Sequence, residues 1–205
     1  MKRHNIRLMI VCAMGTALLA SCNKNKDTEG NLPENGFRAT IEQPKGGGNG
    51  GSRTHIDPTS WTDGTSWPVL WTENDLIMVN NGTESRDFQL IDGAGDPTGT
   101  FYTDHGSTYD FTTGTFYAAY PAAQVSQANG FSGSTVTFSV LQTQTYRANS
   151  FGEGAMPMVA YSATQSLEFR NVFGGICIPL TGDGLTVTSV VLTATNTSEH
   201  LWGQF

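Results

Sequence analysis

The chain has 205 residues, with 11 basic and 18 acidic side chains and a formal net charge of −7. This acidic balance argues against nucleic acid or an anionic lipid surface as a partner, because both carry negative charge themselves. The length suits one domain that buries a sizeable core without disulfide staples.

The N-terminus has the pattern of an export signal. Three basic residues within the first seven positions precede a largely apolar run, 8–20, which is shorter than the roughly 20 residues a membrane-spanning helix needs. The run ends in Leu18-Leu19-Ala20-Ser21-Cys22, which resembles a bacterial lipobox. The resemblance implies cleavage after Ser21, a diacylglycerol on the Cys22 thiol and an acylated new amine. An ordinary secretory signal with an incidental cysteine is the alternative.

Loss of a signal peptide over 1–21 would change both the charge and the location of the protein. It removes three basic residues and no acidic one, which takes the net charge from −7 to about −10. Two or three acyl chains hold a protein stably on a bilayer, so we expect a lipid-anchored protein at the outer membrane or cell surface. Cys177 would be the remaining unmodified cysteine, and its apolar neighbours predict a buried, inert thiol.

The start of the mature chain combines a tether, a strand and a glycine-rich loop. Residues 22–36 are polar, which predicts a flexible tether, and the domain is expected over 37–205. Phe37–Glu42 alternates apolar and polar residues, as a half-buried strand does. The glycine-rich loop 46–53 is not followed by a helix pattern, which a phosphate-binding loop requires, so the sequence does not predict phosphate binding there. Exposed loops of this composition are where proteases cut, and Arg53 is the basic residue this one offers.

Three tryptophans follow among Thr, Ser, Asp and Gly residues: Trp61, Trp67 and Trp71. Large rings at such positions usually pack on the core as loop anchors. A sugar-stacking platform is the alternative, and it requires the three rings to share one exposed face.

The rest of the chain shows short strand patterns separated by turns rich in Gly and Asn. Strands are predicted at 75–79, 88–90, 100–102, 115–120, 135–140, 158–161, 167–169, 176–178, 187–192 and 201–202. No later stretch has helical periodicity over a convincing length. The pattern therefore predicts an all-β, antiparallel sandwich or barrel.

No catalytic or metal-binding motif stands out from this background. His55, His105 and His200 lack partners at metal-binding spacings, and no nucleophile elbow occurs. The turn 92–97 has two aspartates but not the remaining ligands of a calcium loop. Carboxylates are spread along the chain instead of grouped, so we expect no enzyme activity, no metal and no cofactor.

Several segments resemble, in their order, the N-terminal domain of fimbrillin-like lipoproteins, the subunits of type V pili. They are Trp71–Val79, Thr115–Pro121, Met156–Ala160, Leu167–Gly175, Val187–Leu192 and Leu201–Phe205. The resemblance implies an antiparallel, transthyretin-like β-sandwich behind a cleaved lipoprotein signal peptide. It also implies a structural role, as a pilus subunit or as the fimbrial anchor, in cell adhesion.

In that family a trypsin-like protease cuts stalk subunits after an arginine, and a strand donated by another subunit fills the groove left by the first strand. The resemblance places the removable strand at Phe37–Glu42 and the cut at Arg53, because Arg38 lies within the strand itself. The expected partners are other pilus subunits, the membrane through Cys22, and a host or bacterial surface ligand. A processed subunit would be released into the fimbrium. The family also has a second, C-terminal β domain, which this chain is expected to lack or to carry in truncated form. The alternative function is a surface glycan-binding lipoprotein that uses Trp61, Trp67 and Trp71.

Overall fold

The structure is a computed structural model that describes residues 32–42, 69–104, 110–125, 130–145, 151–152, 154–173, 184, 186–196 and 202–204. The chain divides into two compact units, Met1–Gly30 and Asn31–Phe205, and every described residue belongs to the second. The described part is all-β, which confirms the predicted class. It contains a 3₁₀ turn at Ala122–Gln124 but no α-helix. No helix in this part is long and apolar enough to cross a membrane.

Eleven strands occur within the described residues. They are β1 (Phe37–Ile41), β2 (Leu76–Asn80), β3 (Ser85–Asp92), β4 (Thr98–Tyr102), β5 (Phe116–Tyr120), β6 (Phe131–Ser132), β7 (Thr135–Val136), β8 (Ser139–Val140), β9 (Met158–Ser162), β10 (Ser166–Asn171) and β11 (Gly203–Gln204).

Seven of these strands close into one sheet in the order β1-β10-β9-β5-β2-β3-β4, with β4 returning to β1. All neighbouring pairs are antiparallel except β1 and β10, which run parallel. The expectation of a wholly antiparallel arrangement is wrong at this pair. The reason is geometric, because strand directions cannot alternate all the way around a ring with an odd number of strands.

The interior of the closed sheet is filled largely by aromatic side chains. Seven of the described aromatic residues are fully buried there: Phe37, Trp71, Phe88, Phe101, Phe111, Phe116 and Phe169. Most of their rings meet edge to face, the favoured geometry for aromatic pairs. Inward and outward positions alternate along β1 and β10, as the period of two predicts.

A smaller apolar cluster covers the outer face of β2 and β5. Met78 and Ala119 point away from the interior and pack with Val125 and Phe138, which lie on the connection between β5 and β9. The strand predicted over 135–140 is divided here, because its residues pair with three different partners. β7 pairs with β6, Phe138 bridges to Val125, and β8 pairs with β11.

The later strand predictions have mixed outcomes. The strand predicted over 187–192 is absent, and residues 186–193 are exposed and belong to no sheet. The pair predicted at 201–202 is shifted to β11, and the run 176–178 with Cys177 lies outside the described residues. The strands predicted at 158–161 and 167–169 are confirmed as β9 and β10.

Candidate functional site around the first strand

The first strand occupies a distinctive position in the closed sheet. β1 lies between β4, its antiparallel neighbour, and β10, its parallel neighbour. In the described sheet, β4 and β10 do not pair with each other directly, and β1 supplies the main-chain pairing between them. A strand that is N-terminal in the domain thus closes a ring built otherwise from residues 76–171.

Main-chain hydrogen bonds hold β1 on both sides. On the β10 side, the Arg38 N–H donates to the Gln165 carbonyl and the Glu42 N–H to the Phe169 carbonyl, each at 2.8 Å. On the β4 side, the Ile41 N–H donates to the Pro97 carbonyl, also at 2.8 Å. These bonds are independent of side-chain identity, so another strand with the same main-chain geometry could form them.

Side chains at alternate positions of β1 enter the core. Phe37, Ala39 and Ile41 are each at most 1% exposed. The Phe37 ring meets the rings of Phe116 and Phe88 at centroid distances of 4.9 and 5.0 Å, both edge to face. Together the three side chains fill a row of pockets in the core, and along β1 these pockets are large, small and large.

The middle pocket is small for identifiable reasons. The Trp71 indole Nε1–H donates to the Ala39 carbonyl at 3.1 Å, which holds the large indole close to β1. The β4 residue opposite Ala39 is Gly99, and a Cβ built there would overlap Leu90 Cδ1 and lie 3.1 Å from Trp71 Cδ1. A side chain much larger than alanine would meet these groups.

The outer face of β1 is polar and adds little stability. The Thr40 and Thr98 hydroxyls are 3.0 Å apart, and Arg170 Nε lies 3.5 Å from Glu42 Oε2. Both charged side chains of that ion pair are more than half exposed, and such pairs contribute little to folding. β1 is therefore held in the sheet mainly by its main-chain hydrogen bonds and by the packing of its buried side chains.

The residues that precede β1 pack against the domain, although the sequence assigns them to the tether. The Gly36 N–H donates to the Pro33 carbonyl, and its carbonyl accepts from Gln165 Nε2, both at 2.7 Å. The Asn35 Oδ1 accepts from the Phe111 N–H at 2.8 Å. Asn35 has a φ of +62°, a left-handed conformation that asparagine tolerates better than most residues. At least residues 33–36 therefore belong to the folded body.

The structure places one of the five sequence-predicted site residues and leaves the others untested. Trp71 is fully buried in the aromatic core, so its ring offers no surface to a sugar and serves as the anchor that the sequence favoured. Cys22, Arg53, Trp61 and Trp67 lie outside the described residues. Within the described ranges, no group of three His, Cys, Asp or Glu side chains could hold a metal ion.

One carboxylate beside this region has a shifted pKa. The hydroxyl and then the backbone N–H of Thr112 donate to Asp110 Oδ1, at 2.6 and 2.8 Å, and these bonds lower the pKa of Asp110. The group is fully exposed and caps a turn that starts next to Phe111. Its shift reflects the hydrogen bonds of this turn.

Sequence reasoning finds β1 as a strand but not its two neighbours. The pairing of β1 with β10 joins residues more than 120 positions apart, such as Arg38 and Ser166. No turn residue or spacing in the sequence signals that contact.

No family model matches the chain, and neither a curated protein nor a solved structure similar to it was found.

Proposed function

We propose that this protein is an exported lipoprotein that serves as a structural subunit or as the membrane anchor of a fimbrium, assembled through exchange of its first strand. The observation that supports the proposal is the position of β1, which pairs with a strand on each side and fills core pockets with its side chains. Its loss would leave two strands with unsatisfied main-chain groups and a row of empty apolar pockets between them. A strand from another subunit would satisfy both, as in recognition by β-strand addition.

The proposal includes the location and the finer fold. Lipid on Cys22 would anchor the protein at the outer membrane, and processing would release a stalk subunit into the fimbrium. The domain would have the transthyretin-like sandwich architecture, with the two halves of the sheet facing each other across the aromatic core. Support for the location comes from the lipobox-like sequence at 18–22.

The lipid anchor can be tested directly. Cells fed a radiolabelled fatty acid should yield a labelled chain in the membrane fraction. Cys22→Ser should lose the label and leave the membrane, whereas Cys177→Ser should keep both properties. Label on the Cys22→Ser variant, or its retention in membranes, would contradict lipid attachment at this residue.

Processing can be tested by limited proteolysis of the exported chain with a trypsin-like protease. We expect one main cut after Arg53 and a new N-terminus at Thr54, and we expect Arg53→Ala to abolish it. Arg38→Ala should leave the cut unchanged, because paired strands on both sides protect Arg38. A chain that stays intact at Arg53 would argue against a stalk subunit and for the anchor.

Exchange of the first strand can be tested on the cut protein. An isotopically labelled peptide of residues 32–43 should enter the cut chain and displace the endogenous fragment, which mass spectrometry of the isolated complex would detect. The uncut chain is the control and should take up no peptide. Failure of the cut chain to take up peptide while it stays folded would refute strand exchange at this site.

A further inference from the structure

Two tyrosines form an aromatic pair on the outer face of the seven-stranded sheet. Tyr117 on β5 lies directly opposite Tyr161 on β9, and their ring centroids are 5.4 Å apart with the ring planes tilted by 51°. Tyr161 is 66% exposed, which makes it the most exposed aromatic side chain among the described residues. Neither hydroxyl has a hydrogen-bond partner within the described part of the chain. The tyrosine pair therefore presents ring surface and two hydroxyl groups to solvent.

The layer that covers the neighbouring part of this face ends beside the tyrosine pair. Ala119 and Val159 are the adjacent outward residues on the same two strands, and they pack against the cluster that contains Val125 and Phe138. The two tyrosines do not belong to that cluster. The connection between β5 and β9 therefore covers one row of outward side chains and leaves the next row open.

Hydrogen-bonding side chains lie on both sides of the tyrosine pair. On one side, Asn80 of β2 lies opposite Tyr117, and its amide donates to the Ser85 hydroxyl at 2.9 Å. An amide nitrogen carries two N–H groups, so this bond leaves one of them for a ligand. On the other side, the register of β9 and β10 places the exposed Glu168 at the matching outward position. At the usual strand spacing, this row across four neighbouring strands is about 14 Å long.

The charged side chains near this row balance one another. The outward positions along β1, its following residue and β10 carry two arginines, Arg38 and Arg170, and two glutamates, Glu42 and Glu168. One of these arginines already pairs with a glutamate, since Arg170 Nε lies 3.5 Å from Glu42 Oε2. The local field therefore selects neither a cationic nor an anionic ligand.

A neutral oligosaccharide has the chemistry that such a row recognises. The C–H groups on the face of a sugar ring carry partial positive charge, which the negative face of an aromatic ring attracts. Sugar hydroxyl groups can donate to a carboxylate and accept from an amide N–H or a phenol. A protein partner fits less well, because a stable interface buries about 800 Å² per partner around an apolar centre, and the apolar part of this row is two rings.

We propose that Tyr117 and Tyr161 form a binding site for a neutral oligosaccharide, with Asn80 and Glu168 as hydrogen-bonding groups at its two ends. The site differs from the tryptophan platform considered from the sequence, of which Trp71 is buried. It also does not depend on exchange of the first strand, because neither β5 nor β9 is a neighbour of β1.

The experiment must separate ligand binding from stabilisation of the sheet, since cross-strand aromatic pairs also stabilise sheets. A soluble mature chain that carries Cys22→Ser is applied to a printed array of neutral, sialylated and sulfated oligosaccharides. The affinity for the neutral oligosaccharide with the strongest signal is then measured by isothermal titration calorimetry. Circular dichroism checks that each variant is folded.

We expect the wild type to bind at least one neutral oligosaccharide. Tyr117→Ala and Tyr161→Ala should each weaken that binding about tenfold, because each ring supplies both buried area and face contacts. Tyr161→Phe should keep most of the affinity, since the ring face remains. Trp202→Ala is the matched control, because it removes a ring that is 51% exposed but lies outside the seven-stranded sheet, and it should leave the affinity unchanged.

Glu168→Gln tests whether the ligand is neutral. The amide can still hydrogen-bond to hydroxyl groups, so the affinity should stay within about threefold of the wild-type value. A complete loss of binding in this variant, or binding confined to sialylated or sulfated oligosaccharides, would overturn the assignment to a neutral ligand.

Two results would overturn the site itself: no wild-type binding to any neutral oligosaccharide, or equal affinity in the wild type and in Tyr161→Ala. Neither result would bear on the proposed function, because strand exchange involves neither tyrosine. The uncut and the cut chain should bind the oligosaccharide equally well, and binding that requires the cut would contradict the independence of the two sites.

Discussion

Replacement of Phe37 by alanine tests the central structural claim, that β1 is part of the core of the domain. Phe37 is fully buried, and its ring lies 4.9, 5.0 and 6.3 Å from the rings of Phe116, Phe88 and Phe111. Truncation of a buried phenylalanine costs about 3–5 kcal/mol, since apolar contacts are lost and a cavity remains. Single domains are stable by about 5–15 kcal/mol, so this loss would be a large share of the total.

The measurement is urea unfolding of a soluble form of the mature chain that carries Cys22→Ser, followed by tryptophan fluorescence. A slope of about 2 kcal/mol per M converts a loss of about 4 kcal/mol into a midpoint shift of about 2 M. Tyr161→Ala is the matched control, because it removes an aromatic ring from a strand where the residue is 66% exposed. Its ring meets that of Tyr117, and such a cross-strand pair is worth about 1 kcal/mol at most.

The reasoning fails if Phe37→Ala and Tyr161→Ala destabilise the chain equally, or if the Phe37 variant loses less than about 1 kcal/mol. Either result would mean that the first strand lies outside the core. An unchanged slope in both variants would support a loss of stability over a change in the unfolded state.

Three further predictions test the surroundings of β1. Trp71→Phe should lower the free energy of unfolding by about 1–3 kcal/mol, because the buried Ala39 carbonyl loses the indole N–H as a hydrogen-bond donor. A change in stability no larger than the experimental error would contradict that hydrogen bond. Gly99→Ala should cost about 1–3 kcal/mol in the same assay, since its Cβ would lie 3.1 Å from Trp71 Cδ1, and unaltered stability would show that the middle pocket has spare room. NMR titration should find the pKa of Asp110 below the ordinary aspartate range, and Thr112→Val should raise it. Because the folded-state pKa is lowered, any stability that Asp110 contributes is present above the ordinary aspartate pKa and is lost as the pH falls through the lowered folded-state pKa. An Asp110 pKa in the ordinary aspartate range would refute the turn geometry.

The sequence by itself determined the class of the fold and most strand positions. Alternation at Phe37–Glu42 and over 167–169 places one face of each strand in the core, because successive side chains point to opposite faces of a sheet. The Asn-Gly pair after β2 predicts the tight connection to β3, where Gly82 has a φ of +89°. Such signals are local, so neighbouring residues suffice to read them.

For Trp71, the sequence favours a core anchor over a sugar-stacking platform only through the general tendency of large rings to pack on a core. The residues around it do not reveal whether its ring faces solvent or the core, since burial depends on strands that are distant in sequence. In the structure its indole meets Phe101 and Phe169, which belong to β4 and β10. The same dependence explains why residues 186–193, with a strand-like composition, lie outside any sheet: composition supplies a tendency to pair, but not a neighbour to pair with.

Only the tertiary structure decided which strands flank β1 and hence where the candidate site lies. The ring of seven strands forces one parallel pair, and this pair joins the first and last strands of the sheet in chain order. Pairing between residues so far apart depends on how the whole sheet closes around its aromatic core, and no short stretch of sequence encodes that closure.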